Sequence, residues 1–301
     1  MMNFSPRRRI AVLRGGASDG YDTSLKSGGH VLSILRDNNE NYEPLDVFIS
    51  KDGEWHLDGL VIDPHTLLRK ADLAWNALHG SYGEDGQVQK ILESLQVPFT
   101  GSGSMSSAIS MNKEMAKRFY QDNSLPTPSS ELFTEDRLDE DKLIHVFRNY
   151  LHPVIVKPAN KGQSLGVRLA HTFSDLKEAI KETFKHSPRV LVEEYVKGYD
   201  VTCTVIDEAK GEKIYALIPI SDTKLNTEEN KQIEAMAKLA HQVLGLRHYS
   251  SSDFIITPKR KIYILETNSL PPLHKDSHVH SSLKATGWHP RDFVEHILKL
   301  V

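Results

Sequence analysis

Asp253-Phe254-Ile255-Ile256-Thr257-Pro258-Lys259-Arg260-Lys261-Ile262-Tyr263-Ile264-Leu265-Glu266-Thr267-Asn268 places an acid at the outer end of each of two β-rich segments, with no glycine between them. The segments flank a polar turn near Lys259 and Arg260, which predicts a β-hairpin. A symmetric turn sets Asp253 opposite Glu266, and strand alternation places Asn268 on their face. Opposed carboxylates repel and destabilise a sheet. A hard cation with oxygen ligands removes that penalty, and Mg²⁺ shared with substrate phosphates is the usual form. The competing reading is an exposed edge hairpin whose acids point to water.

The remainder of the chain supplies partners for such a site. Val154-Ile155-Val156-Lys157-Pro158 is an apolar strand ending in a lysine, where an uncompensated charge is expensive. The loop Ala159 to Gly166 follows, and its glycines let backbone N–H groups close over an anion. An ordinary loop beside an exposed lysine is the alternative. Val190 to Val196 is an apolar strand interrupted by Glu193 and Glu194, which can accept from an adenine amino group or a ribose hydroxyl or simply face water.

At 301 residues the chain exceeds most single cores, so two or three domains are expected. An apolar fraction of 39%, a charged fraction of 26% and a net charge of −3 describe an ordinary globular protein without a nucleic-acid or membrane surface. Arg7-Arg8-Arg9 leads into Ile10-Ala11-Val12-Leu13, too short for a signal-peptide core. The single Cys203 sits in an alternating strand, as a buried structural thiol does. A cytoplasmic location is expected.

The first third alternates strands (Ile10 to Leu13, Leu45 to Ser50, Leu73 to Leu78) with helices (Ser24 to Leu35, Gln87 to Leu95), predicting an open, mostly parallel sheet. Gly15-Gly16 lacks the dinucleotide fingerprint spacing and reads as a turn. A second segment carries one helix through Met111 to Tyr120, a Pro126–Pro128 break, an acidic solvated helix face at Glu135 to Lys142, and a helix from Ser174 to Phe184. From Gly198 the pattern turns antiparallel: Val201 to Ile206, Ile214 to Ile220, an amphipathic helix Glu228 to Leu244, the hairpin, and a last helix from Arg291.

Ala77-Leu78-His79-Gly80, Gly83-Glu84-Asp85-Gly86, Thr100-Gly101-Ser102-Gly103, Met111-Asn112-Lys113, Val156-Lys157-Pro158 and Glu266-Thr267-Asn268 occur in this order and spacing. Together they resemble the D-alanine–D-alanine ligases of the ATP-grasp superfamily, over nearly the whole chain. The resemblance implies an α/β and α+β protein: an N-terminal open parallel α/β domain at 1–105, a small central lid domain at 106–196 and a C-terminal antiparallel-sheet catalytic domain at 197–301. It implies ATP with Mg²⁺, two ions with Mn²⁺ able to substitute, and small-molecule carboxylate and amine substrates; homodimer formation is open. Lys113, Lys157, Gly162, Gln163 and Ser164 are implied around the phosphates. Glu193, Glu194 and Val196 are implied at adenine, Asp200 at ribose, and Asp253, Glu266 and Asn268 as metal ligands. Catalytic roles fall to His79, Lys157 and Ser164. The implied reaction is attack of a carboxylate on the γ-phosphate to give an acyl phosphate, which an amine then opens.

The departures from that pattern cluster on the amino-acid side. Gly20 stands where the family holds the first substrate's ammonium with a glutamate, leaving Asp19 or Asp22 as substitutes. Ser251 replaces an arginine, Pro272 replaces a glycine whose N–H serves the oxyanion, and Gln163 replaces a flap serine. The family's long closing loop shrinks to Ser221 to Thr227, with Lys224 as a stand-in for its catalytic lysine. His274, His278 and His280 read as a polar substrate pocket or solvated loop ahead of a zinc site, with Ser277 at the position of a carboxylate-binding serine. Three functions are compatible: a D-alanine–D-alanine-type ligase, an ATP-grasp ligase for another carboxylate, and a nucleotide-binding protein without turnover.

Overall fold

A computed structural model describes residues 7–162 and 165–301. The first sheet contains β1 (Arg8–Gly15), β2 (Tyr42–Ile49), β3 (Trp55–Leu57), β4 (Leu60–Val61) and β5 (Leu73–Asn76), in the order β4-β3-β2-β1-β5. β1 runs parallel to β2 and β5, whereas β3 and β4 are antiparallel additions at one edge. Ile10 to Leu13 are buried on both faces, as a central parallel strand requires. Ile10 and Val12 meet Val31, Leu32 and Leu35 of α1 (Tyr21–Asp37), while Ala11 and Leu13 meet Leu67 of α2 (Pro64–Leu68) and Val88 and Leu92 of α3 (Gln87–Ser94).

The single helix expected through Met111 is two, α4 (Ser104–Met111) and α5 (Lys113–Asp122). Asn112 breaks them because its extended backbone makes it the N-cap of α5, its side chain accepting from the Met115 N–H. The second sheet is antiparallel, in the order β6-β9-β7-β8, from β6 (Ser130–Thr134), β7 (Val154–Pro158), β8 (Arg168–Ala170) and β9 (Arg189–Glu194). It packs on α6 (Glu140–Asn149) and α7 (Phe173–Phe184). The acidic stretch expected as one helix face begins as a 3-10 turn at Glu135–Arg137, and Asp139 caps α6.

The third sheet contains β10 (Tyr199–Asp207), β11 (Ile214–Ala216), β12 (Ile220–Ser221), β13 (Tyr249–Ile256) and β14 (Ile262–Asn268). Val201, Cys203 and Val205 of β10 face Ile233, Met236 and Ala240 of α8 (Thr227–Val243), which turns Asp200, Thr202 and Thr204 to the opposite face. The chain closes with α9 (His278–Thr286), which the sequence reading lacked, and α10 (Pro290–Lys299). Val279, Leu283, Phe293 and Ile297 from these two helices join the core of the first sheet, so the first and third sheets share packing.

Asp253 pairs with Glu266, and Ser251 with Asn268. The register shifts beside them, because Phe254 pairs with Ile264 and leaves Leu265 as the extra residue of a β-bulge. In a regular strand without the bulge, alternation from Ile264 would turn Glu266 and Asn268 to the core side of β14.

Candidate active site

The sheet face bearing Asp253, Glu266 and Asn268 floors a cleft of about 490 Å³, roofed by Ile155, Lys157, Leu165 and Val167 of the second sheet and its loops. Asp253 is pushed up to about 7, first by burial and then by Glu266 opposite. Glu266 is held below its ordinary value, chiefly by Lys113, whose Nζ lies 2.9 Å from Oε2. The Lys113 ammonium also donates to the Lys161 carbonyl at 2.7 Å. Asn268 Nδ2 lies 3.5 Å from Asp253 Oδ2. Two carboxylates, an amide oxygen and a lysine standing in as countercharge form an oxygen-rich set that fits Mg²⁺.

On the second-sheet side of the cleft lies a buried charge cluster. Glu193, 1% exposed, has Lys157 at 2.8 Å from one oxygen and Lys117 at 2.6 Å from the other. Burial alone would raise the Glu193 carboxyl, but the two lysines outweigh it and hold it low. Lys117 falls to about 8 through burial, with Lys157 adding to the effect against Glu193. It also donates to Thr127 Oγ1 and the Pro128 carbonyl, each at 2.8 Å. Two ammoniums and one carboxylate leave this end of the cleft with one excess positive charge, ready for an anion. The sequence reading missed Lys117; its signal was the four-residue spacing from Lys113 on one helix face.

Glu194, Val196 and Asp200 line the other end of the cleft. Gly162 lies nearer Met111 and lines a small recess beside Glu266 and Asn268. Gln163 and Ser164 lie outside the described residues. Lys224, read from the sequence as a catalytic stand-in, is exposed and does not line the cleft. Its carbonyl is held by Arg260 at 3.2 Å, and Ser221 Oγ anchors the short connection to the Asp200 carbonyl at 3.1 Å.

A second cavity of about 240 Å³ lies beyond Asp253 and Asn268, lined by Ser251, Pro272, His274, Asp276, Ser277 and His278 among others. Ser277 caps α9, its Oγ accepting from the His280 N–H at 3.2 Å. Ser251 is buried and shares a hydrogen bond with Thr204 at 2.6 Å, so it does not stand in for a guanidinium. The three histidines diverge: His278 turns to Thr202, and His280 stacks edgewise on His30 with ring centroids 5.8 Å apart. Among the described residues no three His, Cys, Asp or Glu side chains converge as metal ligands would.

His79 is 3% exposed, with Nε2 2.9 Å from Ser27 Oγ. That hydroxyl accepts from the Leu273 N–H at 3.1 Å, tying the first sheet's loop to the segment after β14. Gly20 packs against His79 so closely that an added Cβ would lie 2.5 Å from the His79 carbonyl oxygen. Asp19 is exposed on the preceding turn and lines neither cavity.

The family model described as D-ala D-ala ligase C-terminus matches residues 119–224 and 216–299, and that for the N-terminus matches 60–102. A relative named D-alanine–D-alanine ligase from Methylibium petroleiphilum is 33% identical, over 97% of this chain and 95% of its own. The chain belongs to the D-alanine–D-alanine ligase family. A relative of that name from Aquifex aeolicus is 31% identical over 93% of this chain and 96% of its own. This D-alanine–D-alanine ligase family member has the ATP-grasp fold, as the solved structures show. The VanG D-Ala:D-Ser ligase from Enterococcus faecalis matches with a TM-score of 0.88 at 24% identity, covering 98% of this chain and 99% of that one. The D-alanine–D-alanine ligase from Coxiella burnetii matches with a TM-score of 0.88 at 22% identity, covering 98% and 94%. By family the protein is an ATP-dependent carbon–nitrogen ligase that uses a divalent metal and small-molecule substrates. No described helix is long and apolar enough to cross a membrane.

Proposed function

We propose that the protein joins two small molecules through an acyl phosphate, with ATP in the larger cleft and the acceptor amine in the smaller cavity. The carrying observation is that Asp253 lines both cavities, so a metal bound there lies where phosphate and acyl group meet. Asp253, Glu266 and Asn268 would hold Mg²⁺, two ions with Mn²⁺ as a substitute, and the metal would neutralise charge on the transferred phosphoryl group. Lys113 and Lys157 face the phosphates, with Gly162, Gln163 and Ser164 as the flap over them. Glu193 is assigned to fix Lys157 and Lys117, leaving Glu194 and Val196 for adenine and Asp200 for ribose. His79, locked by Ser27, orients the loop that meets the carboxylate substrate, and Ser277 meets the acceptor's carboxylate. The first substrate's carboxylate oxygen attacks the γ-phosphorus and ADP departs. The amine nitrogen then attacks the acyl carbon and phosphate leaves. The division at 1–105, 106–196 and 197–301, a cytoplasmic location and a homodimer belong to the same proposal.

D-alanine, which names the relatives' activity, is the first substrate to test. Losing a preorganised donor to an oxyanion typically costs ~10²–10³ in rate, and Ser251 and Pro272 remove two, so slow ligation of D-alanine is expected. Gly20 favours a second reading. The His79 carbonyl excludes any side chain there, so the first carboxylate is one without an ammonium held at that position. A panel of D-amino acids and 2-hydroxy acids, assayed for phosphate release and product mass, tests both. D-alanyl-D-alanine at ~1–10³ s⁻¹ would overturn the second reading, and ATP use stimulated by no carboxylate would overturn ligation itself.

A further inference from the structure

His278 is the first residue of α9 and lines both cavities. Its Nδ1 lies 3.0 Å from Thr202 Oγ1, and Thr202 donates its single hydroxyl proton to Asp253 Oδ1 at 2.7 Å. With that proton committed, Thr202 accepts from His278, so Nδ1 carries the hydrogen and Nε2 carries the lone pair. His278 is exposed, at a position shared by the linings of the nucleotide cleft and the acceptor cavity. No lysine or arginine lines the acceptor cavity among the described residues, and the other imidazole there, His274, has its Nδ1 buried.

Building on the ligase reading, we infer that His278 Nε2 is the base that takes a proton from the incoming amine. The titratable groups sharing its cavities include Asp200, Asp253 and Glu266 from the sheet, Lys113 from α5, and His274 and Asp276 from its own segment. An amine arrives largely as ammonium. One proton passes to Nε2, and the freed lone pair forms the C–N bond at the acyl carbon. The C–O bond to phosphate breaks with its electron pair on oxygen, and the second N–H proton leaves with the phosphate. Thr202 and Asp253 position the ring without touching substrate.

His278→Asn tests the assignment, because its amide keeps an N–H donor near the place of Nδ1 but offers no base. Wild type and variant are given Mg·ATP and D-alanine, then whichever carboxylate of the panel releases phosphate, with either the amine acceptor or hydroxylamine. Hydroxylamine is unprotonated at neutral pH and needs no base, so hydroxamate reports a folded, phosphorylating site. General-base catalysis contributes ~10²–10⁴-fold, so amide formation is expected to fall at least about tenfold more than hydroxamate formation. That gap is expected to narrow between about pH 7 and about pH 9 as free amine accumulates. Equal losses of both products, or a pH-independent gap, would overturn the proposal. If His278→Asn loses hydroxamate entirely, His278→Gln decides on the same ratio. No ATP-dependent hydroxamate from wild type with any carboxylate would instead remove the ligase reading, and this assignment with it.

Discussion

Replacing Glu266 by Gln changes two relationships at once, the repulsion with Asp253 and the ion pair with Lys113. The expected outcome is loss of magnesium-dependent ATP binding in isothermal titration, with any residual binding indifferent to chelator. Wild-type affinity with magnesium present would take both acids out of the metal site. Lys117→Met tests the charge of that lysine. Glu193 keeps Lys157 on one oxygen but loses the partner of the other, and a buried acceptor left unpaired costs about 1–3 kcal/mol. Thermal stability is therefore expected to fall by that order, while ATP affinity falls roughly ten- to a hundredfold, the worth of a charged hydrogen bond of ~1.5–3 kcal/mol. A variant that binds ATP normally would confine Lys117 to a packing role. The acids were legible as the outer ends of a hairpin, although the bulge and not alternation alone sets Asp253 opposite Glu266. Lys117 was not, because a helical lysine reads as solvated until the carboxylate beneath it, 76 residues away along the chain, is in view.

Arg260 shows what an element boundary can do. In the left-handed region at φ 64° it ends the hairpin turn, pairs with buried Glu229 on α8 and holds the Lys224 carbonyl. Arg260→Ala is expected to speed hydrogen exchange across residues 221–227 and the start of α8, whereas Lys224→Ala is expected to leave ATP use within about twofold of wild type. A large loss in Lys224→Ala would restore that side chain to the site. The hairpin, the amphipathic α8 and the parallel strands were readable from periodicity. The bulge at Leu265 was not, because one extra residue leaves no compositional mark. The β3–β4 hairpin was a missed signal: Asp58-Gly59, with φ 53° and 80°, is a two-residue turn pair. α9 escaped because its polar, histidine-rich first turn looks like loop, and only Val279 and Leu283 mark its buried face.

The first and third sheets are joined away from the cleft. The Gly101 N–H donates to His248 Nδ1 at 3.0 Å, and Arg247 Nε donates to the Gly101 carbonyl at 2.8 Å while its guanidinium lies over the Phe99 ring. Burial, helped by Arg247, lowers His248 from 6.5 to about 4. A depressed imidazole contributes stability that is complete above about 6.5 and lost as pH falls through about 4. His248→Asn tolerates the left-handed backbone and supplies an acceptor without titrating. Its unfolding temperature is expected to fall less than that of wild type between those pH values, and parallel curves would exclude the latch as the acid-sensitive element. A further joint is Lys161, whose Nζ reaches Ser81 Oγ at 3.3 Å from the flap side. The Lys113–Glu266 pair also has a mechanical consequence. Lys113 and Lys117 stand on one helix, so α5 is pinned at once to the hairpin through Glu266 and to the second sheet through Glu193.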